Sequence, residues 1–270
     1  MTEAVRSERP YVVAAGDGPL VVCLHGIGSS SASFAAQLAE PGGLADVARV
    51  VAWDAPGYGR SPDPVPGSSL GDLARVVADL VGEHGDRAVL LGMSWGGVLA
   101  ARVALDHPEL VAGLVLGDST PGSATDPARA AAMRARVPEL VELGARAFAH
   151  QRAPRLLRPG APRREVDAAV ALMAAAVRPA GYAVAAESMA ATDLRGELDR
   201  LDVPTLVFYG AEDRVTGRSH SRELTAIRGS RLVEIPDAGH LANQENPTYV
   251  NRVLADFLGE LAPITSGRTR

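Results

Sequence analysis

The stretch Ala88-Val89-Leu90-Leu91-Gly92-Met93-Ser94-Trp95-Gly96-Gly97-Val98-Leu99-Ala100-Ala101 holds an apolar run, a Gly-x-Ser-x-Gly turn and a second apolar run. A buried strand followed by a buried helix fits the two runs, which puts the serine on a tight strand-to-helix turn. On such an elbow the hydroxyl projects at the C-terminal edge of a sheet, and the N–H of the next residue faces the reacting group. Gly92 and Gly96 lie where strand and helix pass closest, and a Cβ at either position would push the two apart. In a chain with 28 glycines the pentapeptide alone is a weak signal, so the flanking strand and helix carry the specificity.

Outward from the elbow, short apolar runs bounded by turn residues recur at Tyr11 to Ala14, Leu20 to Leu24, Arg49 to Trp53, Ala112 to Leu116, Thr205 to Tyr209 and Arg231 to Ile235. Segments with helical spacing separate most of them. Unbroken apolar runs alternating with helices predict an α/β fold with a mostly parallel sheet covered on both faces. The first two runs, joined through Gly16-Asp17-Gly18-Pro19, are expected to pair as an antiparallel edge. After Asp118-Ser119 the strand-like text stops until Thr205, and Val166, Val170, Met173 and Val177 fall on one face of a helix. A helical cap over residues 121–194 is therefore expected above the edge where Ser94 emerges, inserted into a core made of residues 1–120 and 195–262. The tail, 263–270, is expected to be disordered.

The chain has 270 residues, 47% of them hydrophobic, enough for one large α/β core with a small insertion. Its net charge of −5, with no basic cluster free of acids, offers no footprint for nucleic acid. A single cysteine, Cys23, lies inside an apolar strand-like run and cannot form an intramolecular disulfide. Met1 to Pro10 lacks the apolar core of a signal peptide, and no apolar run approaches the roughly 20 residues that span a bilayer. A cytoplasmic protein acting on a small molecule, with no membrane or nucleic-acid partner, is the expectation, and nothing in the sequence chooses between a monomer and a homodimer. All 27 basic residues are arginine. Ser–Lys dyads, lysine Schiff bases and lysine-bearing phosphate loops are thereby excluded, because arginine cannot replace the amine.

A serine hydroxyl needs a base held in the right tautomer by a third group. Of six histidines, His84, His107, His150 and His220 read as solvated surface, and His25 as a residue that fixes its own loop. His240, in Asp237-Ala238-Gly239-His240-Leu241, follows the last strand-like run on a loop able to return over the sheet edge. Asp213 stands at the C-terminal end of the Thr205 strand, in Gly210-Ala211-Glu212-Asp213-Arg214-Val215. Asp118 and Glu212 are its rivals for the orienting acid. The oxyanion of an acyl transfer needs two donors, and the backbone N–H groups of Trp95 and Ile27 are the candidates, the second on the turn Leu24-His25-Gly26-Ile27-Gly28. Asp54, in Asp54-Ala55-Pro56-Gly57-Tyr58-Gly59-Arg60-Ser61, reads as a structural residue of a strand-exit turn.

His25-Gly26-x-Gly28, Asp54-x-Pro56-Gly57-x-Gly59-x-Ser61, Gly92-x-Ser94-x-Gly96-Gly97, Gly210-x-x-Asp213 and Gly239-His240 together resemble the α/β-hydrolase fold family over roughly residues 10 to 258. Asp213-Arg214-Val215 and Gly239-His240-Leu241, with a compact helical cap, look most like its branch of 3-oxoadipate enol-lactonases and related esterases. Trp95 departs from the methionine or leucine found after the serine in that branch. The resemblance implies an eight-stranded, mostly parallel sheet whose first strand is short or missing. It also implies a catalytic triad of Ser94, Asp213 and His240, with no metal and no cofactor.

Serine rather than aspartate at position 94 argues against halide displacement and epoxide opening through an alkyl ester. Hydrolysis of a carboxylic ester or lactone through an acyl-enzyme is the leading expectation, with a small or aliphatic acyl group favoured by a cap rich in Ala, Val, Leu and Met. Carbon–carbon bond hydrolysis or a non-hydrolytic cyclisation would use the same triad, and a low-turnover receptor would keep the fold alone. Arginines are frequent in the insertion, among them 134, 136, 146, 152, 155, 158, 163, 164 and 178, and a carboxylate-bearing substrate would want one pointing inward as a clamp, against a plainer role as solvated surface.

Overall fold

Seven strands share one sheet in the computed structural model, which describes residues 9 to 266: β1 (Val12–Ala15), β2 (Leu20–Leu24), β3 (Arg49–Trp53), β4 (Ala88–Met93), β5 (Val111–Gly117), β6 (Thr205–Gly210) and β7 (Arg231–Ile235). Their order across the sheet is β1-β3-β2-β4-β5-β6-β7. The pairs β2·β3, β2·β4, β4·β5, β5·β6 and β6·β7 are parallel, and β1 runs antiparallel at the edge. Seven strands meet the expectation of an eight-stranded sheet with its first strand short or missing. The expected pairing of β1 with β2 is corrected, because β1 pairs with β3 in the register Val12↔Trp53 to Ala15↔Val50. Gly16 turns the chain at φ 76°, hard against the Ala45 and Ala48 carbonyls, and β3 occupies the side of β2 where a hairpin would lie.

Each inner strand buries both faces. In β2 the two-residue period sends Leu20, Val22 and Leu24 to one layer and Val21 and Cys23 to the other. Nine helices accompany the sheet among the described residues: α1 (Ala35–Leu38), α2 (Leu70–His84), α3 (Trp95–Asp106), α4 (Pro127–Arg152), α5 (Arg163–Ala176), α6 (Pro179–Ala191), α7 (Gly217–Glu223), α8 (Ala242–Glu245) and α9 (Pro247–Ser266). Leu73, Val77 and Leu80 of α2 and Val98 and Leu99 of α3 fill the first layer, and Val250, Leu254 and Phe257 of α9 fill the second. α9 runs through Ser266, and 267–270, in the tail expected to be disordered, lie outside the described residues.

α4, α5 and α6 all lie between β5 and β6, and an isolated antiparallel bridge, Gly122↔Asp193, ties the two ends of this insertion together. α4 breaks at Gly144, which adopts φ 73°. Val177, expected on the face of Val166, Val170 and Met173, is the extended residue just past the end of α5. The proline at 179 holds Arg178 extended as well, which stops the helix there. No single helix among the described residues is long and apolar enough to cross a membrane.

The chain leaves β2 towards β3 on one side and leaves β4 towards β5 on the other, so a crevice opens at their C-terminal ends. The elbow and the loop after β2 meet there at van der Waals limits. A Cβ on Gly92 would lie 2.2 Å from the Gly96 carbonyl oxygen, and one on Gly96 would lie 2.0 Å from that of Leu24. Gly96→Ala is expected to cost about 1–3 kcal/mol or more in denaturant unfolding. Gly82→Ala, exposed within α2 and facing open space, should instead gain up to about 1 kcal/mol.

Candidate active site

Ser94 stands between β4 and α3 at φ 52° and ψ −115°, a backbone state that a residue with a side chain rarely adopts. Its N–H donates to the Gly117 carbonyl at 2.7 Å, and its carbonyl accepts from Ser119 Oγ at 2.7 Å and from the Gly97 N–H at 3.0 Å. These bonds on both sides hold the strained residue in place. Its hydroxyl lies 2.9 Å from His240 Nε2, and His240 Nδ1 lies 3.0 Å from Asp213 Oδ2. The carboxylate can only accept, so Nδ1 carries the proton and Nε2 is left to accept from the Ser94 hydroxyl.

Asp213 owes its pose to its own loop. Oδ1 accepts the Val215 N–H at 2.7 Å and the Thr216 N–H at 3.3 Å, while Oδ2 accepts the Gly217 N–H at 3.0 Å. The Thr216 hydroxyl stands 2.6 Å from the same Oδ2. An aspartate wrapping the N–H groups two to four residues ahead of it is an Asx turn. Burial works against the charge on Asp213, yet the His240 bond and charge with the Thr216 and Gly217 bonds outweigh it, and the carboxyl is held well below its usual range. Burial likewise tends to lower the His240 pKa, but the bond to Asp213 and the charges of Asp213 and Asp118 more than offset this. The net shift of His240 is upward, with the Arg136 guanidinium pulling the other way.

The rival acids are elsewhere. Asp118 is fully buried, and its two oxygens accept the Gly210 N–H at 2.8 Å and the Ala242 N–H at 3.1 Å. It thus ties the end of β6 to the segment after His240 without bonding the imidazole, and burial pushes its carboxyl up to about 7. Glu212 is exposed. His25 uses both nitrogens, with Nδ1 donating to the Gly26 carbonyl at 2.9 Å and Nε2 accepting the Ala55 N–H at 3.0 Å. Asp54 is also structural, its oxygens accepting the Ser31 N–H at 2.8 Å and the Arg60 N–H at 2.9 Å. His150 is exposed and His84 and His107 are half-exposed, but His220 departs from the surface reading, being half-buried with Nδ1 2.7 Å from the Thr216 carbonyl.

Ser94, His240, Ile27 and Trp95 line one cavity of about 780 Å³ between the sheet edge and the insertion. Among the described residues the Ile27 N–H meets no backbone or side-chain acceptor, and Trp95 is the first residue of α3, where the amide has none within the helix. The Trp95 indole points away into the core and donates to Ser188 Oγ on α6 at 2.9 Å. Met133, Val166, Ala169, Leu172 and Met173 give the insertion side an apolar wall. No group of three His, Cys, Asp or Glu side chains is placed to hold a metal ion among the described residues. Thr216, Arg129 and Arg214 escape a reading of the sequence, and Arg136, Arg152, Arg155 and Arg158 stand in it only among the many arginines of the insertion. The Asp-x-x-Thr-Gly spacing signals Thr216, but nothing in the text separates an inward arginine from an outward one.

Residues 19–247 match the family described as alpha/beta hydrolase fold, and the chain belongs to that family of enzymes. It is 27% identical over 243 residues to 3-oxoadipate enol-lactonase 2 of Acinetobacter baylyi, covering 88% of each chain. It is 29% identical to a candidate carbamate hydrolase of Klebsiella pneumoniae, over 91% of this chain and 93% of that one. A thermophilic esterase from Thermogutta terrifontis superposes with a TM-score of 0.86 at 28% identity, with 93% of both chains covered.

The two central histidines should titrate far apart. By NMR of the ring protons, His25 is expected near pH 4, because burial disfavours its charged form, and His240 above its ordinary value of about 6.5. The unfolded chain takes up the proton that folded His25 refuses, so His25 contributes a loss of stability as the pH falls from about 6.5 towards 4.

Proposed function

We propose that the protein is a serine hydrolase that cleaves a small or aliphatic carboxylic ester or lactone through an acyl-enzyme. The observation that carries this reading is the continuous Asp213–His240–Ser94 relay, with links of 3.0 and 2.9 Å, opening on a largely apolar cavity. His240 Nε2 removes the Ser94 proton as Oγ attacks the acyl carbon, and Asp213 steadies the imidazolium that results. The negative charge on the tetrahedral oxygen is received by the Ile27 and Trp95 amides. His240 then protonates the leaving alkoxide, and a water activated by the same nitrogen releases the acid and restores Ser94. Esters, lactones and carbamates, the groups named for relatives of this chain, all present an acyl carbon to such a nucleophile.

Ser94→Ala is expected to abolish turnover and labelling by an organophosphonate, and unchanged turnover would overturn the assignment. Asp213→Asn should lower kcat by up to about 10⁴-fold, whereas Asp118→Asn should act mainly on stability. Proton release at constant pH from lactones and linear esters of matched acyl size identifies which of the two is preferred. Serine-independent release, or none, would favour the other chemistries open to this fold. With a good substrate, kcat/KM should rise with pH as His240 loses its proton, with a midpoint above about 6.5.

A further inference from the structure

The charge on the cavity wall is one-sided. Arg129, Arg136, Arg152, Arg155, Arg158 and Arg214 line the cavity and no Asp or Glu does, although the chain as a whole has 32 acidic residues against 27 arginines. Two of the six are neutralised from behind, Arg152 by Glu139 and Arg158 by Glu165 and Glu245. The other four have no carboxylate partner among the described residues. Arg155 and Arg214 are exposed, where water solvates them, but Arg129 and Arg136 are half-buried on α4. Arginines of the insertion that do not line the cavity are largely paired, Arg134 with Glu187, Arg163 with Asp167 and Arg178 with Asp63. Four of the six guanidinium groups that face the space a substrate would fill are therefore left without a carboxylate.

Arg129 is engaged with His220 and lies 3.4 Å from the Val215 carbonyl. Arg136 faces no carboxylate among the described residues; its guanidinium is engaged by the Tyr182 phenol, and its charge is felt both there and by His240. A guanidinium partly removed from water, with no carboxylate across its fork, presents the geometry that a carboxylate meets with two parallel bonds. We propose that this cavity selects substrates that carry a carboxylate besides the scissile acyl group, and that Arg136 receives this carboxylate, with Arg129 adding to the positive field. The proposal rests on the hydrolase reading and narrows its substrate class to half-esters of dicarboxylic acids and their lactone equivalents. The apolar wall of Met133, Val166, Leu172 and Met173 suits the methylene chain between the two ends.

The test compares monomethyl adipate with methyl hexanoate, in the wild type, Arg136→Gln, Arg136→Lys and Arg134→Gln. The wild type should prefer the half-ester by about 10- to 100-fold in kcat/KM, mainly through KM, as expected for one charged hydrogen-bonded pair. The preference should collapse in Arg136→Gln, return in part in Arg136→Lys and survive in Arg134→Gln, whose side chain pairs with Glu187 away from the cavity. Adipate binding to the Ser94→Ala protein, measured by calorimetry, should weaken about 10- to 100-fold when Arg136→Gln is added. Equal handling of the two esters by the wild type, or a preference that persists in Arg136→Gln, overturns the anion site while leaving a serine-dependent hydrolase in place. Adipate binding that depends on Arg136, with neither ester hydrolysed, supports the anion site and overturns the hydrolase reading instead.

Discussion

The close approach of β4, α3 and the loop after β2 is the constraint on which the site depends. Leu24 ends its strand with a carbonyl oxygen 2.0 Å from where a Cβ of Gly96 would be, so the helix can start there only on a glycine. That contact leaves Ser94 at φ 52°, and the bonds to Gly117, Gly97 and Ser119 hold it in that state. Strain of this kind costs on the order of 1–3 kcal/mol and persists only where the surroundings over-determine it. Here the compensation comes from a sheet buried on both faces, whose inner strands are tied to their neighbours along their length.

Charge is arranged in layers about the imidazole. Behind it lie Asp213, held ionised by its own turn, and Asp118, buried between two backbone amides. Ahead of it are the open cavity and the arginines of α4. Within a low-dielectric interior such an ordering sets up a field along the line from carboxylate to cavity, and groups in that field feel it more strongly than they would in water. Asp118 has a mechanical part as well. By bonding Gly210 and Ala242 together it holds the strand that ends near Asp213 against the segment that follows His240, so the distance between these two side chains is set by backbone as well as by their own hydrogen bond.

Much of this was readable in the sequence, and the parts that were not have a common cause. Strands such as Leu20 to Leu24 and Arg49 to Trp53 announce themselves because a doubly covered strand must be apolar throughout. Ser94, Asp213 and His240 each sit directly after a strand or on a loop bounded by glycine, and their order along the chain limits the ways they can meet. The partner of β1 is not legible because a glycine-rich link between neighbouring strands looks like a hairpin, and β3 enters between them only through a contact distant in sequence. The helical spacing of Val177 continued past the point where Pro179 ends α5, so backbone sterics overrode periodicity. Arg134 and Arg136 are two residues apart on one helix, yet one pairs with a carboxylate outside and the other lines the cavity. Only the packing of α4 on its neighbours separates them.

Trp95 ties the insertion to the sheet at the elbow itself. Its backbone belongs to the elbow, while its indole, buried against His25 and Tyr58, is hydrogen-bonded to Ser188 on α6. Lifting the insertion away from the sheet would have to break that bond or drag the first turn of α3 with it. The roof of the cavity is thus riveted to the elbow itself, and on its other side the Leu156 carbonyl accepts the His240 N–H at 2.7 Å and Arg158 pairs with Glu245, so the segment between α4 and α5 is fastened beside the imidazole.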